Sequence, residues 1–232
     1  MKVFLDTADL EEIRALYDIY PLDGVTTNPT ILAAEKKAPY ETLTEIRSFL
    51  GQEGVLHVQV ISRNAEDMIE EAYQICNRLG SNTYVKIPVV PEGLKAIRFL
   101  AKNGMRVTAT GIYTLQQAFW AGKSGAAYVA PYVNRIENLG ADGIQTVCDI
   151  QNCFVRNGIA TGILAASFKN IRQVMALAEN GVASVTVAPA ILRGMLENAS
   201  VDLAVDRFIN DFENAFGVSA TMSTIAAVLE GE

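Results

Sequence analysis

Two periodicities alternate along the chain. Short β-branched runs, spaced as strands, are each followed by a longer run in which apolar residues recur every three or four positions, as on one face of a helix. Residues 3–6 read as the first strand. Residues 8–19 read as the first helix, with Thr7 as its N-cap and Leu10, Ile13, Leu16 and Tyr17 on one face. Strands then follow at 24–27, 55–61, 83–87, 105–109, 126–130, 159–165 and 182–187. Helices are expected at 39–50, 65–79, 91–101, 115–121, 142–155 and 171–178, with closing helices at 190–197 and 201–216. Pro91 suits a helix start and Gly104 breaks the helix before it. Asn28-Pro29-Thr30 reads as a loop.

Eight strands, each followed by a helix, share 232 residues, or 29 residues per unit, a natural length for a βα repeat. Several strands are apolar on both faces, as parallel strands covered by helices are. A closed (β/α)8 barrel and an open doubly wound sheet both fit this alternation, and periodicity alone does not separate them. No linker or low-complexity stretch divides the chain, so a single domain is expected.

Composition narrows the function classes. Half of the residues are hydrophobic, enough for a large core without disulfide or metal staples. The 19 basic and 26 acidic residues leave a formal charge of −7, which argues against nucleic acid or an anionic membrane as the main partner. Cys76, Cys148 and Cys153 are irregularly spaced and odd in number, which reads as free thiols in a reducing compartment. The single histidine, His57, leaves too few ligands for a His/Cys zinc site. The N-terminal run meets Asp6 too early for a signal peptide, and no apolar run has membrane-spanning length. A soluble, cytoplasmic protein without metal or organic cofactor is expected.

Candidate chemistry sits where the strands end, the end at which barrels build active sites. Asp6, Thr26 with Thr27 and Asn28, Gln59, Lys86, Thr110, Tyr132 with Arg135, and Ser167 with Lys169 mark strands one to seven in turn. Lys86 is the sharpest signal, because it interrupts the otherwise uncharged run Tyr84-Val85-Lys86-Ile87-Pro88-Val89-Val90. A lysine in a covered strand is desolvated, paired or functional. At an ordinary pKa near 10.4, only about one ammonium in 2,500 is neutral at pH 7. A drop of about 3 units makes the amine a usable nucleophile, and its product with a ketone is a Schiff base. A solvent-reaching edge lysine remains the plainer alternative.

Asp6 could orient that lysine and handle substrate hydroxyl protons, or simply cap the first helix. Gln59, Thr110 and Tyr132 could together hold a catalytic water. Arg135 could clamp a phosphate beside the Ser167 loop, or pair with Glu137 or Asp142 at the surface. Gly122-Lys123-Ser124 imitates the end of a phosphate-binding P-loop but follows a helix and lacks the upstream glycine, so it reads as a helix end. Ile191, Met195 and Leu196 read as core.

Five motifs together resemble the transaldolase family: Phe4-Leu5-Asp6-Thr7-Ala8, Gly24-Val25-Thr26-Thr27-Asn28-Pro29, Val85-Lys86-Ile87-Pro88, Ala130-Pro131-Tyr132-Val133-Asn134-Arg135 and Ala165-Ala166-Ser167-Phe168-Lys169. The likeness runs in order from residue 1 to about 217. Within the family it is nearest to the small bacterial fructose-6-phosphate aldolases. It implies a single-domain (β/α)8 TIM barrel over 1–217 with an extra C-terminal helix, and an extension at 218–232 that is a tail or a subunit contact. It further implies class I aldolase chemistry in carbohydrate metabolism. Lys86 matches the Schiff-base lysine, Asp6 the strand-one carboxylate and Thr110 the threonine near the catalytic water. Asn28 matches the group that binds donor hydroxyls, with Thr26 beside it. Arg135 and Ser167, with Lys169 nearby, match the phosphate groups. Transaldolases typically carry Glu and Phe where this chain has Gln59 and Tyr132, and both residues here follow the aldolase pattern. The expected reaction interconverts fructose 6-phosphate with dihydroxyacetone and glyceraldehyde 3-phosphate. A transaldolase transferring a dihydroxyacetone unit and a sugar-phosphate-binding barrel without turnover are the alternatives. The resemblance also implies a homo-oligomer, pentamer-based (a decamer), with the helix at 201–216 reaching a neighbour.

Overall fold

The computed structural model of the chain describes residues 1–229. Its centre is a ring of parallel strands joined in chain order: β1 (Lys2–Asp6), β2 (Gly24–Thr26), β3 (Val55–Gln59), β4 (Thr83–Pro88), β5 (Val107–Ile112), β6 (Tyr128–Pro131), β7 (Gly162–Ala165) and β8 (Ser184–Val187). β8 pairs with β1, Val185 opposite Val3, and so closes the ring. That pairing decides for the barrel over the open sheet, which would leave two unpaired edges. The fold is a (β/α)8 TIM barrel.

The helices are α1 (Leu10–Ile19), α2 (Pro29–Ala34), α3 (Pro39–Leu50), α4 (Ala65–Leu79), α5 (Pro91–Lys102), α6 (Leu115–Lys123), α7 (Val133–Asn138), α8 (Gly143–Asn157), α9 (Ile171–Glu179), α10 (Pro189–Gly194), α11 (Ala199–Phe216) and α12 (Met222–Leu229). Met1–Leu192 forms one compact unit and Arg193–Glu232 a second. Within the second, Asn198 caps α11, and the Phe212 and Phe216 rings lie 4.7 Å apart. α12 covers 222–229 of the extension expected at 218–232, and residues 230–232 lie outside the described residues.

Several elements depart from the periodicity reading. Thr7 is not the cap of α1. Asp9 is, its Oδ1 accepting from the Glu11 and Glu12 amides at 2.9 and 3.2 Å, while the Thr7 hydroxyl accepts from the Asp9 amide. β5 runs two to three residues later than expected, so Thr110 lies inside it. α2 and α7 replace expected loops; six residues are too few to display a helical period. Leu196 is 65% exposed and does not belong to the core. Gly122-Lys123-Ser124 does end a helix, α6.

Inside the barrel the side chains form layers, as parallel barrels require. The lower layer is aromatic. His57 stacks on Tyr84 at 4.7 Å and meets the edges of Phe4 and Tyr128 at 5.2 and 5.9 Å. Its Nδ1 shares a 3.0 Å hydrogen bond with the Thr108 hydroxyl. Burial first, and the Lys86 charge second, push its pKa well below 6.5, so the ring is neutral. The chain's one histidine is therefore a floor beneath the site.

One close approach ties the helix shell to that site. A Cβ on Gly93 of α5 would strike the backbone carbonyl of Pro88, at the end of the strand that carries Lys86. Gly93→Ala is expected to force α5 and β4 apart and cost about 1–3 kcal/mol, read as a lower midpoint in denaturant unfolding with an unchanged slope. An unchanged midpoint would show that the helix can slide without cost.

Candidate active site

The upper layer opens into a cavity of about 270 Å³ lined by Asp6, Asn28, Gln59, Lys86, Tyr132, Arg135, Ser167 and Thr186, among others. All lie at the C-terminal ends of strands or in the loops and helices that follow. A wider surface cleft, about 640 Å³ along α7, α8 and α9, holds none of these groups. The barrel mouth is the candidate because convergent polar groups, and not volume, mark a reactive site.

Lys86 points inward from the C-terminal half of β4 and is 6% exposed. Its Nζ donates to the Thr27 carbonyl at 2.7 Å. Burial lowers its pKa below 10.5; the Asp6 carboxylate opposes that shift, and the Arg135 charge adds to it. The amine thus sits in a dry pocket with one carbonyl acceptor. A surface pairing is not its structural role.

Asp6 ends β1, directly opposite Thr26 on β2. Its Oδ1 accepts from the Thr26 hydroxyl at 2.6 Å. Its influence on Lys86 is through charge, while the direct hydrogen bond of the amine goes to Thr27. Asn28 caps α2, its amide oxygen accepting from the Ile31 amide at 3.0 Å. The NH2 end of that side chain remains for a ligand, which makes Asn28 a donor toward substrate oxygens. Thr26 lies beneath the cavity wall, bonded to both Asp6 and Thr186.

Tyr132 is pinned from both sides. Its amide donates to Ile112 of β5 at 3.0 Å, and it bridges in parallel to Ala166 beyond β7. The next two amides, of Val133 and Asn134, donate to the carbonyls of Ala166 and Ser167 at 2.9 and 2.7 Å. The phenol therefore has a fixed place, where it shares a 2.7 Å hydrogen bond with the Thr110 hydroxyl. Thr110 is 1% exposed and outside the cavity lining, while Tyr132 lines the cavity. The Arg135 guanidinium lies 4.6 Å from the centre of the Tyr132 ring, and Tyr113 meets the same ring edge-on at 5.6 Å. Gln59 lines the cavity from β3, with Lys86 as its neighbour across the ladder.

Ser167 holds a left-handed backbone, φ 62°, rare for a residue with a side chain and costing of order 1 kcal/mol or more. Such strain at a cavity wall turns the loop so that Ser167 lines the pocket with Arg135. Lys169 is not brought in. It is exposed, outside the lining, and its backbone amide donates to Gln173 at 2.7 Å. Among the described residues no cluster of three or more His, Cys, Asp or Glu side chains is placed to hold a metal ion.

Two contributors escaped the sequence reading. The Thr27 carbonyl is a backbone atom and has no sequence signature. Thr186 does have one: it is the polar, inward position of Ser184-Val185-Thr186-Val187, and extending the strand-by-strand inventory to β8 finds it.

The family model described as "Transaldolase/Fructose-6-phosphate aldolase" matches residues 3–232. A solved structure described as "Structure of a cube-shaped, highly porous protein cage designed by fusing symmetric oligomeric domains" superposes with a TM-score of 0.59, at 13% identity over 99% of this chain and 81% of that one. At that identity the likeness speaks for the fold alone.

Proposed function

This chain belongs to the transaldolase/fructose-6-phosphate aldolase family, and from that premise we propose that it is a class I aldolase that cleaves and forms fructose 6-phosphate through a Schiff base on Lys86. The observation that carries the reading is the dry amine of Lys86 opening on a cavity lined by Tyr132, whose phenol is hydrogen-bonded to Thr110.

In the proposed sequence the neutral amine attacks the C2 carbonyl, and water leaves to give an iminium. A base removes the C4 hydroxyl proton, the C3–C4 bond breaks, and its electron pair neutralises the iminium to an enamine. Glyceraldehyde 3-phosphate departs, held until then by Arg135 and the Ser167 loop. The enamine takes a proton at C3, and hydrolysis frees dihydroxyacetone and the lysine. Tyr132 favours this last stage, because a phenol delivers a proton directly or through water held with Gln59 and Thr110. Asn28 donates to the hydroxyls of the donor half. The protein needs no other group for these steps.

A transaldolase on the same lysine is the second reading, supported by the shared family. Fructose 6-phosphate offered alone, and again with erythrose 4-phosphate, separates the two. Cleavage without an acceptor aldehyde supports the aldolase; turnover only with the aldehyde supports the transferase. Borohydride reduction with dihydroxyacetone, followed by peptide mapping, is expected to place one reduced three-carbon unit on Lys86. No adduct would leave a sugar-phosphate-binding barrel.

We place the protein in a reducing compartment, the cytoplasm, in line with three unpaired cysteines. A pentamer-based homo-oligomer is proposed on the exposed apolar side chains of α11, among them Leu203, Phe208 and Ile209. No described helix is long and apolar enough to cross a membrane.

A further inference from the structure

We propose that Thr186, on β8, is a positioning residue that sets which oxygen of Asp6 exchanges protons with the substrate. The inference rests on the Schiff-base reading of Lys86 and adds to it a residue outside all five sequence motifs.

Three strands contribute. Asp6 ends β1, Thr26 lies opposite it on β2, and Thr186 on β8 lies opposite Phe4, two residues before Asp6. The two threonine hydroxyls meet at 2.6 Å, across β1 and beneath the carboxylate. The Thr26 hydroxyl donates to Asp6 Oδ1, also at 2.6 Å. A hydroxyl has one hydrogen. Thr26 commits its own to Asp6, so the bond between the threonines has one direction: Thr186 donates and Thr26 accepts. The result is a polarised chain, Thr186 to Thr26 to Asp6 Oδ1. Both threonines are buried, at 3% exposure for Thr186 and 0% for Thr26.

The chain keeps Oδ1 an acceptor throughout turnover. Oδ2 accepts no hydrogen bond from the described residues, and Asp6 lines the cavity. The C4 hydroxyl proton of the bound ketose therefore passes to Oδ2. The O–H bond breaks and an O–H bond to Oδ2 forms. The oxygen's electron pair becomes the new carbonyl π bond as the C3–C4 pair moves into the iminium. Were Oδ1 free to take the proton, the carboxyl could turn between two protonated forms, only one of which faces the substrate. Anchoring one oxygen through a polarised chain is a preorganisation device.

The test uses Thr186→Val, which keeps the shape and deletes the hydroxyl, and Thr186→Ser, which restores it. Thr186→Val is expected to lower kcat for fructose 6-phosphate cleavage about 10-fold, the size of one buried hydrogen bond, with KM within about twofold. Borohydride trapping of dihydroxyacetone on Lys86 should persist, since the lysine itself is untouched. Thr186→Ser should recover most of kcat. Thr26→Val breaks both links, so adding Thr186→Val to it should cause no further loss. Parent-like kcat in Thr186→Val, a serine variant as impaired as the valine one, or additive losses in the pair would each overturn the chain. A parent protein that forms no borohydride adduct would overturn the Schiff-base reading itself and the chain with it. A parent that traps normally, with an unaffected valine variant, would overturn only the role of Thr186.

Discussion

Lys86→Met is expected to abolish carbon–carbon cleavage, with a fall in kcat of about 10⁵-fold or more, as removal of a covalent nucleophile does. Methionine is close in volume and carries no amine, so the cavity keeps its shape and loses only the attacking atom. The borohydride adduct should vanish with the activity. Retained cleavage would remove the lysine from the mechanism. The same variant reports on the state of the amine through stability. Burial lowers the lysine's pKa in the folded chain, while the unfolded chain keeps the ordinary 10.5. Between those values the unfolded state binds the extra proton, so the parent gains stability as pH rises through that window. Methionine does not titrate. The difference in Tm, Met variant minus parent, should therefore fall as pH climbs through that window toward 10.5. The lost donor to the Thr27 carbonyl offsets the comparison by a constant and leaves the slope alone. A flat difference would mean that the folded lysine titrates as it does in the unfolded chain.

Tyr132→Phe should lower the rate of fructose 6-phosphate cleavage by about 10²–10³-fold, the usual worth of a positioned proton donor. Schiff-base trapping on Lys86 should survive, because the ring and its backbone anchors remain. Transfer of the three-carbon unit to an added aldehyde should also survive, since that route bypasses protonation of the enamine. The stability cost should be modest, about 1 kcal/mol for the lost bond to the buried Thr110 hydroxyl. An unchanged cleavage rate would sink the proton-transfer assignment and leave Tyr132 as wall. Cleavage and transfer falling together would instead tie the phenol to a step that both reactions share.

The sequence exposed the outline of this site because of how parallel barrels are built. Several strands are apolar on both faces, so a polar residue near a strand end stands out, and Lys86 stands out most. Asp6, Gln59, Lys86, Tyr132, Arg135 and Ser167 were all legible in this way, and the structure gathers them round one cavity. Lys169 is not among the residues that line this cavity. Sequence proximity to Ser167 made it a candidate, but the left-handed turn at Ser167 and the start of α9 leave it exposed. The segment from Asn28 reads as a loop, while in the structure Asn28 caps α2, and Tyr132 likewise precedes the short helix α7. Six-residue helices bury too little to write a period into the chain.

The chain by itself determined the alternation of strand and helix, the place of Lys86 within an otherwise uncharged run and the family-like order of its motifs, because these depend on neighbours in sequence. Closure of the ring, the carbonyl that receives the lysine amine, the Tyr132–Thr110 pair and the direction of the Thr186–Thr26–Asp6 chain were decided only by the tertiary structure. Each joins residues far apart in sequence, by 20 to 182 positions. Pairings over such separations follow from strand register and barrel curvature, which local composition does not record.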